Sequence, residues 1–380
     1  MLYEDRGIEL EYAEAQYVWD SSGRKYLDMH TGHGVAFLGH RNPHILKSLK
    51  NQLDKLMVSS TSFRVRVRDE MLEVLSKVVP NRYAYVYLLN SGSEAVEFAL
   101  KVARIFTNRK KVIYFTNSFH GRTFGALSVT YNQRYRKGFE PLLPETVAVK
   151  FNDVDGVVKS VDELTAAVIL ELIQGEGGVN VATKEFVDEV RRRTAEVGAL
   201  MIVDEVQTGF GRTGSVWAFQ QYGVYPDVLI AGKAIGGGFP VSAVFLPLDV
   251  GIKLESGIHG TTYGGNPMAC AAVKAATEVL ISDDVPLKAR EKGEKLLKLL
   301  KDRLKDVKIV REVRGVGLMV GVELRFEPSK ALKDLQNKGV LALKAGATVL
   351  RLLPPYLITY EDIDYAVNSI GESLSKQLTS

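Results

Sequence analysis

The chain has 380 residues, 46% of them hydrophobic and 25% charged, with a single cysteine, Cys270. That length supports one large and one small domain, and one cysteine excludes an internal disulfide framework. A formal net charge of +4 is too small to argue for nucleic acid, no apolar run is long enough to span a bilayer, and the acidic start lacks the parts of a signal peptide, so the cytoplasm is expected.

In chain order, residues 1–45 are expected to pack with a smaller C-terminal domain. Short apolar runs then alternate with helical patterns, at 85–89, 112–116, 167–172, 200–203, 228–231 and 241–246. Continuous apolar runs bounded by turn residues read as strands buried on both faces. Their alternation with helices predicts an α/β domain with a mostly parallel sheet, over 46–280. Ligands of such sheets bind beyond the carboxyl ends of the strands, and each chemical motif below is read as following one of these runs. Residues 281–380 read as a small α+β domain. A Lys- and Leu-rich helix at 284–305 precedes strand-like runs at 308–313 and 317–324. A short helix near 330–338, a strand at 349–352 and a final helix at 360–376 follow.

The chemistry is concentrated after the runs. Asp204 ends one and Lys233 follows the next, an arrangement that suits pyridoxal phosphate, which needs a lysine amine for its Schiff base and an acid beside its ring nitrogen. Lys233 has almost no polar neighbours in sequence, so it is expected to be desolvated and its pKa lowered. The bland alternative is a surface lysine. Ser91 and Glu94 match a capping box opening a helix, where free amides attract phosphate; Gly92 permits close approach and Ser93 adds a hydroxyl. Alone this is a plain capped helix. Phe119, ahead of His120, is placed to stack on a pyridine ring, and Arg122 to grip a carboxylate; core packing and a surface ion pair are the simpler readings. Val206 is placed to pack on the opposite ring face and Gln207 to hydrogen-bond the ring hydroxyl. Glu171 and Glu176 lie near a buried sheet end, where unpaired acids are costly.

Jointly, NSGSEA, SFHGRT, IQGEGG, DEVQTGFGRTG, AGKAIGGGFP, HGTTYGGNP and LRLLPP resemble the class III aminotransferases of the fold type I pyridoxal phosphate enzymes, over nearly the whole chain. Within that class the chain looks most like the acetylornithine aminotransferase branch, which includes enzymes acting on lysine or ornithine attached to an amino-group carrier protein. The resemblance implies that Ser91, Gly92, Ser93 and His120 belong to the cofactor site, that Phe119 and Val206 flank the ring, and that Asp204, Gln207 and Lys233 take the roles above. It implies a homodimer in which Thr262 reaches the phosphate of the other subunit's cofactor. It also implies that Arg351 binds the α-carboxylate of glutamate, that Glu176 pairs with Arg351 when an ω-amine substrate is bound, and that Arg122 holds a remaining carboxylate. Many relatives carry proline where this chain has Leu172; that proline supplies stiffness and no chemistry.

Other readings compete. An aminomutase, a decarboxylase or a 4-aminobutyrate transaminase would share the cofactor residues. A dinucleotide site lacks G-x-G-x-x-G between a strand and a helix. A metal site at His30 and His33, or at His40 and His44, has ligand-like spacing but no acid or cysteine cluster. A cofactor-binding regulator lacks a helix-turn-helix segment. The amino donor is either N-acetylornithine or a lysine or ornithine carried by an acidic protein. Three basic clusters, Arg64/Arg66/Arg68, Arg134/Arg136/Lys137 and Arg191/Arg192/Arg193, are solvated faces or a dock for such a carrier.

Overall fold

A computed structural model describes residues 5–376; residues 1–4 of the N-terminal segment and residues 377–380 lie outside the described residues. Three strands open the chain: β1 (Leu10–Glu14), β2 (Tyr17–Asp20) and β3 (Lys25–Asp28). Then come β4 (Tyr83–Leu89), β5 (Lys111–Phe115), β6 (Thr146–Val149), β7 (Thr165–Leu170), the short pair β8 (Ile173–Gln174) and β9 (Asn180–Val181), β10 (Leu200–Glu205), β11 (Val228–Ala231) and β12 (Ser242–Pro247). The last five are β13 (Val310–Val316), β14 (Met319–Leu324), β15 (Val340–Leu341), β16 (Leu343–Ala345) and β17 (Val349–Leu352).

The central sheet has the order β4-β12-β11-β10-β7-β5-β6. Only β12 runs against its neighbours; the other pairings are parallel. The apolar runs are continuous because both faces are covered. Ile169, Ile202 and Ile230 pack with Val96, Ala99 and Leu100 of the helix Gly92–Thr107. Their sequence neighbours Val168, Val203 and Leu229 join the opposite core with Phe186 and Val190 of the helix Lys184–Val197. This α/β architecture matches the expected fold class, and each of the six expected strands is present. β6 was not expected: it is an edge strand with two of its four residues exposed, which weakens the apolar signal.

The sheet β13-β14-β17-β16 is antiparallel throughout. The helices Val285–Leu304 and Tyr360–Lys376 contact each other, and the first also packs on β13 and β14. The strand read at 317–324 starts at Met319, because Gly317 turns the chain at φ +56° and Val316 pairs with Met319 across a two-residue turn. β1, β2 and β3 form a sheet closed by β15, which lies parallel to β3. One expectation of motif placement needs correction. HGTTYGGNP does not follow a strand directly: the helix Leu248–Gly251 intervenes, and the segment leads into the helix Pro267–Ser282. Arg351 lies within β17, as the strand expected at 349–352 places it.

Arg212 joins these parts. It is fully buried, and its guanidinium donates to Leu318 O (3.0 Å), Pro354 O (2.9 Å) and Gly34 O (3.1 Å), with the Phe37 ring 4.2 Å away. Its own carbonyl accepts from Leu318 N. One side chain thus ties the N-terminal segment, the β13–β14 turn and the exit of β17 to the loop after β10. Replacing it with methionine leaves three buried carbonyls without this donor, at about 1 kcal/mol each or more. We expect Arg212→Met to lose on the order of 3 kcal/mol in urea unfolding; stability equal to the parent would show that other contacts carry the join.

Candidate active site

The carboxyl ends of β4, β5, β7, β10 and β11 converge on a cavity of about 380 Å³. That is within the usual range for small-molecule sites. Ser91, Gly92, Ser93, Phe119, His120, Glu176, Asp204, Val206, Gln207 and Lys233 all line it. So do Val35, Asn90, Glu171, Phe239, Pro240 and Val241; Asn90, Phe239 and Pro240 fall within the phrases NSGSEA and AGKAIGGGFP, but apart from Glu171 none of these residues has a role read from sequence.

The wall at β4 is a helix start. Ser91 caps the helix Gly92–Thr107 in a capping box, its side chain accepting from Glu94 N while the Glu94 carboxylate accepts from Ser91 N. A Cβ on Gly92 would stand 3.1 Å from the Val206 methyls, and one on Gly232 would stand equally close. Val206 therefore fits against two glycines. Gly121 has φ +128°, and a Cβ there would meet Ser93 Oγ at 2.1 Å. The Ser93 hydroxyl accepts from Arg122 N at 3.1 Å, leaving its own proton free to donate.

Alternation along β10 separates its two acids. Glu205 faces away from the cavity and accepts from the Ala218 and Phe219 amides. Asp204 faces the cavity: Oδ1 accepts from Val206 N (3.0 Å), and Oδ2 is 2.8 Å from His120 Nδ1. His120 is buried, and its Nε2 has no hydrogen-bond partner. The sequence carried no sign of this pairing, because 84 residues separate the two side chains. Glu171 is also buried. Its two oxygens accept from Phe119 N (2.9 Å) and Gly175 N (3.0 Å), joining the two loops that carry Phe119 and Glu176. Burial, with the Asp204 charge adding, pushes its carboxyl up to about 7.

Lys233 stands at the end of β11 with φ +47°, a strained conformation for a side-chain-bearing residue. Burial pulls its amine down to about 8; Glu176, Asp204 and Glu171 resist that fall, and Arg351 adds to it. Arg351 enters from β17, fully buried. It donates from Nη2 to Glu176 Oε1 (2.7 Å) and from Nη1 to Gln207 Oε1 (3.1 Å). The Gln207 contact was not foreseen. It fixes the amide so that its NH2 is the free donor. Burial raises the Glu176 carboxyl, but Arg351 and Lys233 outweigh it and hold the group below its ordinary range.

Three expected residues do not line the cavity: Arg351 meets it only through Glu176 and Gln207, and Arg122 and Thr262 lie outside it. The Arg122 side chain is exposed, its guanidinium 3.5 Å from the centre of the Tyr135 ring and 5.9 Å from that of Phe119. Thr262 is exposed, and its neighbour Thr261 accepts from Asn90 at 3.1 Å. The histidine pairs considered as ligands have other partners: His40 meets Asp28 at 2.7 Å and His44 meets Glu278 at 2.6 Å.

The profile of the family "Aminotransferase class-III" matches residues 4–374. This chain belongs to the class III aminotransferases. Among curated relatives of this aminotransferase, a [LysW]-aminoadipate semialdehyde/glutamate semialdehyde transaminase of Sulfolobus acidocaldarius is 56% identical, over 99% of this chain and 97% of its own. One of the same name from Sulfurisphaera tokodaii is 58% identical over 98% and 96%. An acetylornithine aminotransferase of Bacillus cereus is 40% identical over 96% and 94%. The structure is similar to that of ornithine aminotransferase from Toxoplasma gondii, with a TM-score of 0.95 at 31% identity over 100% of this chain and 93% of that one.

The enzyme's cofactor is pyridoxal phosphate. The cavity suits it on physical grounds: a buried amine of lowered pKa, a buried carboxylate braced by a histidine, and a helix N-terminus with no side chain at its first residue. The unprotonated Lys233 amine would hold the cofactor through its aldehyde. We therefore expect uptake of pyridoxal phosphate by the cofactor-free protein to accelerate as pH rises through about 8, where the Lys233 amine loses its proton. Stopped-flow absorbance measures this. A midpoint near the ordinary lysine value of about 10.4 would mean that Lys233 is not the desolvated amine described here.

Proposed function

We propose that this aminotransferase moves the terminal amine of a carrier-linked lysine or ornithine to 2-oxoglutarate, giving a semialdehyde and glutamate. The observation that carries the reading is the Arg351–Glu176 pair at 2.7 Å. An ω-amine substrate has no carboxylate beside its reacting carbon, and an Arg351 without Glu176 would then be an unpaired buried cation. Glutamate has that carboxylate, and takes Arg351 once Glu176 gives way. The names of the Sulfolobus and Sulfurisphaera relatives, with their LysW-linked semialdehydes, support a carrier-linked donor. The Bacillus relative keeps N-acetylornithine as the second reading.

Each residue has a part in this proposal. When bound, pyridoxal phosphate supplies an aldehyde that holds the substrate amine and a ring that accepts electrons from the adjacent carbon. Lys233 holds the cofactor at rest and then carries the proton at Nζ. Asp204, oriented by His120, keeps the ring nitrogen protonated. Gln207 donates to the ring hydroxyl. Phe119 and Val206 enclose the ring. Ser91, Gly92 and Ser93 receive the phosphate at the helix start. Thr262 faces solvent in one chain and reaches the partner's phosphate in a homodimer. Arg122 turns from Tyr135 to hold a distal carboxylate. Of the segments 1–45 and 281–380, the described residues 5–45 and 281–376 form one body against the cofactor domain, 46–280. The cytoplasm is the place for this chemistry, and no described helix is long and apolar enough to cross a membrane.

Replacing Glu176 with glutamine tests the switch in single-turnover absorbance. The glutamate half-reaction is expected to stay within about threefold, while the ω-amine half-reaction falls about tenfold as Arg351 loses its counter-charge. Equal losses on both substrates would sink the reading.

The basic clusters differ in their ties to the site. Arg191, Arg192 and Arg193 are engaged by Asp227, Glu189 and Glu196. Arg66 pairs with Glu70, and Arg68 donates to Phe63 O and Gly265 O. Arg134 and Lys137 are exposed and flank Tyr135, whose ring meets Phe119 at 5.9 Å. An acidic carrier would dock there. Neutralising Arg134 and Lys137 together is expected to raise KM about tenfold for a carrier-linked substrate and to leave KM for N-acetylornithine unchanged. Unchanged KM for both would remove this surface from the docking path.

A further inference from the structure

Residues 31–34 form a turn of left-handed backbone, with φ of +46° at Thr31, +58° at Gly32, +59° at His33 and +90° at Gly34. Two of the four carry side chains, for which this region is strained. Such strain persists where the surroundings over-determine it. Here Asp28 Oδ1 accepts from the His30 and Thr31 amides at 2.9 and 2.8 Å. Thr31 Oγ1 donates to Leu353 O at 2.6 Å, and Gly34 O accepts from Arg212.

What the strained turn presents is the His33 ring. Its Nδ1 stands 3.9 Å from Glu176 Oε1, the same oxygen that accepts from Arg351 at 2.7 Å. The His33 side chain is 61% exposed, so solvent can deliver a proton to it. The His30 ring lies edge-on behind it at 4.7 Å.

The Glu176 backbone is held in place. Its carbonyl accepts from Gly346 N at 2.7 Å, and Glu171 holds Gly175 N. Gly177 packs so tightly that a Cβ there would lie 2.2 Å from Asn117 O. Release of Glu176 from Arg351 is therefore a side-chain rotation about a pinned Cα.

Charge then decides where the carboxylate goes. Arg351 and Glu176 neutralise each other. A substrate carboxylate on Arg351 leaves Glu176 an anion without its direct ion-pair partner in a mostly buried place, which is costly. Besides Arg351 and Lys233, a protonated His33 is a cation within 3.9 Å of the Glu176 carboxylate. We propose that His33 is a specificity-determining positioning residue: it takes a proton from solvent and seats the Glu176 carboxylate whenever a substrate carboxylate occupies Arg351. The inference rests on the reading of Arg351 and Glu176 as a substrate switch. Burial disfavours the charged ring, Glu176 favours it, and Arg351 and Lys233 oppose it. A carboxylate arriving on Arg351 cancels part of that opposition.

Glutarate, a non-reacting dicarboxylate, is the probe. It would be titrated into the holoenzyme by calorimetry near neutral pH, in two buffers of different ionisation heat. The parent enzyme is expected to take up about one proton per glutarate bound. His33→Asn keeps a residue that tolerates left-handed backbone but carries no charge. It is expected to take up no proton and to bind glutarate about tenfold more weakly. His33→Gly, which removes the strain entirely, is expected to behave the same way. Unchanged proton uptake or unchanged affinity in these variants overturns the proposal. Glu176→Gln has no anion to seat, so it should bind glutarate without proton uptake and without loss of affinity. If that variant weakens glutarate and the ω-amine substrate alike, the switch reading fails, an outcome separate from any result at His33.

Discussion

A guanidinium without a carboxylate partner holds this molecule's parts in register. Arg212 leaves the loop after β10 and spends its donors on three backbone carbonyls from three distant stretches of chain. Carbonyls at fixed positions accept only if the backbones that carry them are fixed as well. The contact therefore sets the left-handed turn at 31–34, the β13–β14 turn and the exit of β17 relative to the central sheet. Arg351 lies on β17 and reaches Glu176 and Gln207 only because that strand is placed there. The site's substrate side thus depends on an interaction that touches no substrate.

The cofactor side is built differently. It uses the ends of parallel strands, where side chains emerge from a sheet buried on both faces. Asp204, Glu171 and Arg351 are buried there, and each buried charge must be answered. Asp204 has His120 and a backbone amide, Glu171 has two amides, and Arg351 has Glu176 and Gln207. Among the described residues Lys233 has no such hydrogen-bonded partner, and it responds by a lowered proton affinity. One environment produces both effects: water is excluded, so paired charges persist and the unpaired amine tends toward neutrality. A neutral amine is what nucleophilic chemistry requires.

Much of the cavity's lining was legible because its residues sit at strand ends, and strand ends are marked in sequence by the close of an apolar run. Asp204 and Lys233 are of this kind, as are Ser91, Gly92 and Ser93. The edge strand β6 was not legible, since half its residues face solvent. Nor was His120's partner, or Gln207's: hydrogen bonds across 84 and 144 residues leave no periodic trace in a single chain. The placement of the HGTTYGGNP segment was misjudged because a short helix interrupts the path from β12.

The sequence by itself determined the layered α/β class and the chemistry of the cofactor residues. Apolar period and turn residues are local properties, and a buried lysine after a strand has few uses. Tertiary structure alone decided which charges meet: Arg351 with Glu176 and Gln207, His120 with Asp204, His33 beside Glu176. The physical reason is that a charge pair depends on distance in space. The chain brings those groups together only when two sheets and the N-terminal segment close around Arg212.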